Sequence, residues 1–370
     1  MKTTQSCTQS EHPSQSTHAL DLGVTMLGLS AVWSLTMLVV SVLWGSGLLV
    51  SPFGHAEPGE YSTLLDYLSI PAGAALVGSC ALLSLTLASA LLTLPRLRGR
   101  AVAAVGGFAV FLALVTTLVF TDTLVLAYLG YTLSLQFPPI PIAVLWQGFM
   151  LLGPGLWAAV WASLEGRRRR SRADADGAAM DASVGDACVG DASAAGATSA
   201  KAAEDHRPVQ VSAKIAVGVA VAVPVIYAST RILWALGIPF GLSSEFYSAG
   251  LQVGMWHSGL ALAIAGLAGA LLTLGLVQKW GERFPRWTGP LAGRRVPILL
   301  ATIPAGIVTL AMFTGGMGMI HSVLLNGVSI NGNWVTIGPT LLFPLWALAL
   351  GWATYAYRAR RLDARASRRQ

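Results

Sequence analysis

Eight runs of about 20 apolar residues recur along this chain, and each is long enough for a helix to cross the hydrocarbon of a bilayer. They lie at about Leu22 to Val50, Ile70 to Leu94, Ala101 onward, Ile142 to Leu164, Lys214 to Gly237, Ala249 to Val277, Val296 to Leu325 and Trp334 to Tyr357. The third contains Asp122 and is expected to run on towards Tyr131 as a long, tilted helix. Strands of a membrane barrel would be shorter and would alternate in polarity. The fold class expected is therefore all-α, a polytopic integral membrane protein. Composition agrees: with 54% hydrophobic and 11% charged residues and a mean hydropathy of +0.63, a chain of 370 residues has too little charge to solvate a globular surface.

A net charge of +7 would suit a nucleic-acid partner, but the basic residues flank the apolar runs, so none is expected. The partner expected first is the lipid bilayer. Of the three cysteines, Cys7 and Cys188 fall in polar segments and Cys80 in an apolar run, which makes a disulfide framework unexpected. The first 20 residues lack the basic, apolar and small-residue order of a cleaved signal, and the first run reads as a retained span.

All 24 Lys and Arg except Arg231 fall in one alternate set of loops and tails. The other set carries none, so the positive-inside rule predicts both termini in the cytosol. The expected division is a disordered tail over 1–21, a four-helix unit over 22–165, a disordered linker over 166–213, a second unit over 214–358 and a basic tail over 359–370. The linker is rich in Ala, Asp, Ser and Gly and holds the near-repeat DASVG-DACVG-DASAA at Asp181 to Ala195, which offers little to bury.

The two units share landmarks. Trp44-Gly45-Ser46-Gly47 then Pro52-Phe53-Gly54 closes span 1, and Trp234-Ala235-Leu236-Gly237 then Pro239-Phe240-Gly241 closes span 5. Pro154-Gly155-Leu156-Trp157 in span 4 matches Pro344-Leu345-Trp346 in span 8. Four spans per unit would make the repeats parallel.

Arg231 is the one basic residue inside an apolar run, at a cost of roughly 2.5 to 3.5 kcal/mol on insertion scales, so it is expected to snorkel, pair with an anion or face a wet cavity. Helical rise places it about 9 Å from the outer end of span 5 and His257 about 12 Å into span 6. Asp122 and His321 also fall in the outer parts of their spans. Arg231, Asp122, His257 and His321 are thus the candidate ligand-binding residues, expected to meet near the outer leaflet, with Asp122 as a partner for Arg231. His257 and His321 are the type that holds a haem between two helices, and Met255, His257, Met317, Met319 and His321 together offer the soft atoms that Cu(I) prefers. They are also ordinary packing residues, and no catalytic residue, metal or cofactor is expected. The usual catalytic signatures are absent, and the chain is not expected to be an enzyme.

Arg231-Ile232-Leu233-Trp234-Ala235-Leu236-Gly237-Ile238-Pro239, Trp280-Gly281-Glu282-Arg283-Phe284-Pro285-Arg286-Trp287 and Leu291-Ala292-Gly293-Arg294-Arg295-Val296-Pro297 resemble an uncharacterised group of multi-spanning proteins from high-GC bacteria. The likeness covers mainly the second half of the chain. It implies a bacterial inner-membrane location and brings no activity with it. The functional expectation is a permease-like or transport-associated protein for a small molecule. A scaffold or sensor for another membrane protein is the second expectation, and a haem or copper redox protein the third.

Overall fold

The computed structural model describes residues 14–54, 63–184, 192–284, 286–325 and 334–366. Among them eight helices are long and apolar enough to cross a membrane: Gly23–Gly45, Ile70–Thr93, Val102–Phe120, Ile142–Arg169, Gln210–Ala235, Met255–Leu274, Ile298–Leu324 and Trp334–Leu362, here spans 1 to 8. In lipid a helix satisfies its backbone hydrogen bonds within the segment, and an Ala-, Leu- and Val-rich run has no other way to do so. The all-α membrane fold is as expected. The sole bridge between extended residues in the described part joins Arg283 and Arg295.

The helices outrun the expected boundaries. Helix begins at Ser14, inside the segment read as a disordered tail, and continues through Ala366 at the other end. The linker read as disordered over 166–213 is helical to Val184 and again from Ala192; 185–191, in the middle of the near-repeat, lies outside the described residues. Its alanine content is the reason: alanine is the strongest helix former, and a helix needs no core to bury when propensity suffices.

Two compact units form, and they are not contiguous in sequence. The first comprises Met1–Ser51, Ser69–Thr116 and Phe149–Cys188, the second Pro52–Leu68, Thr117–Gly148 and Val189–Gln370. This differs from the expected units at 22–165 and 214–358, because the chain leaves its first bundle at two points.

Within the first unit, span 1 packs along span 2. Trp33 Nε1 donates to the Phe149 carbonyl at 2.8 Å, and Gly153 lies against the Trp33 ring, which sets span 4 beside span 1. Gly106 makes room for Trp161, setting span 3 beside span 4. Ser34 Oγ donates to the Ser30 carbonyl, so the Ser84 hydroxyl donates to Ser34 (2.6 Å) and accepts from Trp157 Nε1 (2.7 Å). A buried hydrogen-bonded chain thus joins spans 1, 2 and 4, a useful glue where the hydrophobic effect does not drive helix association.

In the second unit span 5 packs on spans 6 and 8, and span 8 on span 7. The neighbour order 2–1–4–3 recurs as 6–5–8–7, the order that duplicated four-span units would share. Span ends repeat too. Gly47 (φ 75°) and Gly237 (φ 89°) are left-handed, with Gly47 and Leu48 donating to Trp44 and Leu43, and Gly237 and Ile238 to Trp234 and Leu233. Both are Schellman closures.

Span 3 departs most from expectation. Its α-helix stops at Val115, a π-helical turn occupies Thr116–Phe120, and a separate helix, Leu124–Leu133, follows. It is a broken helix with Asp122 in the break, not one long tilted span. The short helix packs in the second unit, where Leu126 occupies the space that a side chain at Gly315 of span 7 would need.

Candidate functional site

The break in span 3 places a carboxylate where hydrocarbon-facing sequence surrounds it. Asp122 is 4% exposed, among buried Thr117, Thr121 and Gln147. A π-turn widens the helix and frees backbone groups, a distortion frequent at functional positions. The Leu124 amide, at the start of the short helix, donates to Asp122 Oδ1 at 2.6 Å, and the Asp122 amide donates to Gln147 Oε1 at 3.3 Å. The carboxylate therefore sits at the positive end of a helix dipole. No Lys or Arg forms an ion pair with it among the described residues.

Span 7 closes the other side through its glycines. A Cβ on Gly318 would lie 2.7 Å from the Thr123 nitrogen and 2.8 Å from the Asp122 carbonyl carbon, so only glycine lets the two backbones approach this closely. Thr314 and His321, one helical turn to either side of Gly318, share its face. Thr314 Oγ1 and His321 Nδ1 are both buried without a hydrogen-bond partner among the described residues. Buried polar atoms are ordinarily paired, and these two lie on the face of span 7 that meets the main chain at Asp122. The Asp66 carboxylate has partners of its own, accepting from the Gly54 amide (2.8 Å), the Thr63 amide (2.7 Å) and Thr63 Oγ1 (2.8 Å).

Of the four residues singled out from sequence, the structure brings together the segments carrying Asp122 and His321. Arg231 makes no ion pair with Asp122 among the described residues. Its guanidinium lies 4.2 Å from the Tyr227 ring centroid and 4.4 Å from that of Trp234, one turn away on either side along span 5. It donates to Thr230 Oγ1 at 3.1 Å and to the Thr336 carbonyl at 3.4 Å, and its stem packs on Gly259. The expected pairing of Arg231 with Asp122 is not formed; two aromatic faces and a carbonyl receive the cation instead. Trp234 meets Trp256 edge to face at 5.3 Å, and Trp256 stacks on Tyr247 at 5.2 Å, so Arg231 belongs to an aromatic cluster at the end of spans 5 and 6. His257 is exposed on span 6.

Gln147 and Thr314 escaped sequence reading, while Gly318 stands in a run of glycines that reads as close packing. Gln147 had a signal, as a lone amide in Ala-Val-Leu-Trp-Gln-Gly-Phe-Met. Thr314 had none, since threonine commonly bonds its own helix in apolar spans. Among the described residues no three His, Cys, Asp or Glu side chains gather to hold a metal ion. No protein-family profile, curated protein or solved structure matches this chain.

Proposed function

We propose that this chain is a permease-like protein of a bacterial inner membrane, with both termini in the cytosol, that moves a small solute or ion using Asp122 as a cation- or proton-accepting site. One observation carries the reading: a buried carboxylate in a helix break, with no basic partner among the described residues and orphaned polar atoms on the facing helix. A negative charge away from water is stabilised by a bound cation or proton. Broken helices near the middle of transporters use the same elements, helix ends and unwound backbone, to hold coupling ions. By the positive-inside rule the site faces the outer half of the membrane, because the loops on that side lack Lys and Arg. His321, one turn from the contact at Gly318, supplies a second titratable group on the route.

Reaction with dicyclohexylcarbodiimide, which modifies carboxyl groups held in apolar surroundings, tests the site. In membrane vesicles, peptide mass spectrometry is expected to find Asp122 modified and Asp66 spared, with no modification in the Asp122→Asn variant. An unmodified Asp122 beside modified loop carboxylates would remove the proposal.

A further inference from the structure

A cavity of about 380 Å³ lies in the second unit, between spans 6, 7 and 8, away from Asp122. Its wall is almost wholly apolar, with Leu276, Pro304 and Val308 among the lining residues. It extends along span 8 from Trp346 to Tyr357, a rise of about 16 Å at 1.5 Å per residue. That is about half of a hydrocarbon layer roughly 30 Å thick, the depth of one leaflet. Leu272 (68% exposed) and Leu300 (55% exposed) line it as well, so it opens sideways to lipid and its occupant enters from the bilayer.

The shallow end is closed by the loop between spans 6 and 7. Phe284 and Val296 line the cavity, while the Arg283–Arg295 bridge and the Phe284 amide to Arg294 carbonyl bond (2.9 Å) set Arg283, Arg294 and Arg295 side by side. All three are exposed, and none forms an ion pair among the described residues. The loop itself is anchored. Arg361, 7% exposed, donates to the Val296 carbonyl at 2.8 Å and to Tyr357 Oη at 3.0 Å, Arg360 donates to the Leu276 carbonyl at 2.7 Å, and Tyr357 Oη donates to the Gly281 carbonyl at 3.1 Å. Gly281 abuts the Gly275 backbone so closely that no side chain fits.

From this geometry we infer that the cavity holds one acyl chain of an anionic phospholipid, whose phosphate headgroup sits at Arg283, Arg294 and Arg295. An apolar slot one leaflet deep, open to lipid and ending at exposed arginines on a braced loop, matches an anionic amphiphile in both parts.

Native mass spectrometry of the purified protein, titrated with phosphatidylglycerol and with phosphatidylcholine of the same chains, tests the inference. One phosphatidylglycerol is expected to bind with marked preference over phosphatidylcholine. The triple variant Arg283→Gln, Arg294→Gln, Arg295→Gln should weaken phosphatidylglycerol by about 100-fold, a factor of about 5 for each arginine near a lipid headgroup, and abolish the preference. Ala305→Trp, which fills the slot, should abolish binding of either lipid at this site. Equal binding of the two lipids by the unaltered protein, or a preference untouched by the triple variant, would overturn the inference. So would a retained neutral lipid with a polar ring at the deep end, a quinone carbonyl on the otherwise unpartnered Trp346 Nε1.

Discussion

Gly318 shows how much one missing side chain decides. Its backbone touches the main chain at Asp122 and Thr123, and backbone atoms cannot swing aside as a flexible side chain does. Gly318→Ala is expected to destabilise the protein by about 1–3 kcal/mol through overpacking. Thermal unfolding in detergent checks this, with Gly306→Ala on the same span, where no atom lies within 4 Å, as the neutral comparison. Asp122 and His321 stand out in the sequence because an ionisable residue in an apolar run is conspicuous. Arg231 misleads, since electrostatics alone makes Asp122 the obvious counter-charge. Tyr227 and Trp234 stand at i−4 and i+3 from the arginine, and their rings receive it. The aromatic neighbours were visible in the sequence; that they would outweigh a carboxylate depended on where span 3 breaks.

The break belongs to the scale of elements. Apolar length and positive-charge placement made the eight spans legible, because both follow from the bilayer rather than from contacts within the protein. The π-turn was not legible: Thr116 to Thr123 has neither proline nor glycine, and the packing of Leu126 into the space beside Gly315 holds the chain there. Three helices end in the same Schellman geometry, with a telling difference. Spans 1 and 5 use Gly47 and Gly237 at the left-handed position, whereas the short helix after the break uses Leu135 (φ 57°), with Leu135 and Gln136 donating to Thr132 and Tyr131. A side chain in this conformation costs roughly 1–2 kcal/mol. Leu135→Gly is therefore expected to stabilise the protein by about that amount and Gly237→Ala to destabilise it by a similar amount, as read from unfolding midpoints in detergent. The strained end belongs to the helix that Asp122 initiates.

For the whole molecule, the same neighbour order of spans in both units sits beside an asymmetry of chemistry. The first unit joins its helices through the Ser34–Ser84–Trp157 hydrogen-bond chain, while Trp346, which matches Trp157 in the sequence, lines a cavity instead. The buried carboxylate and the orphaned Thr314 and His321 atoms also belong to the second unit. The hydrogen-bonded chain across helices thus lies in one unit, and the buried carboxylate in the other. The function proposed here requires charge to cross the bilayer, and transient currents from proteoliposomes after a stepped change in proton or sodium concentration measure it most directly. The account predicts a current in the unaltered protein that is lost in Asp122→Asn, with the unfolding midpoint of that isosteric variant within a few degrees of the parent. A variant that still carries the full current would contradict it.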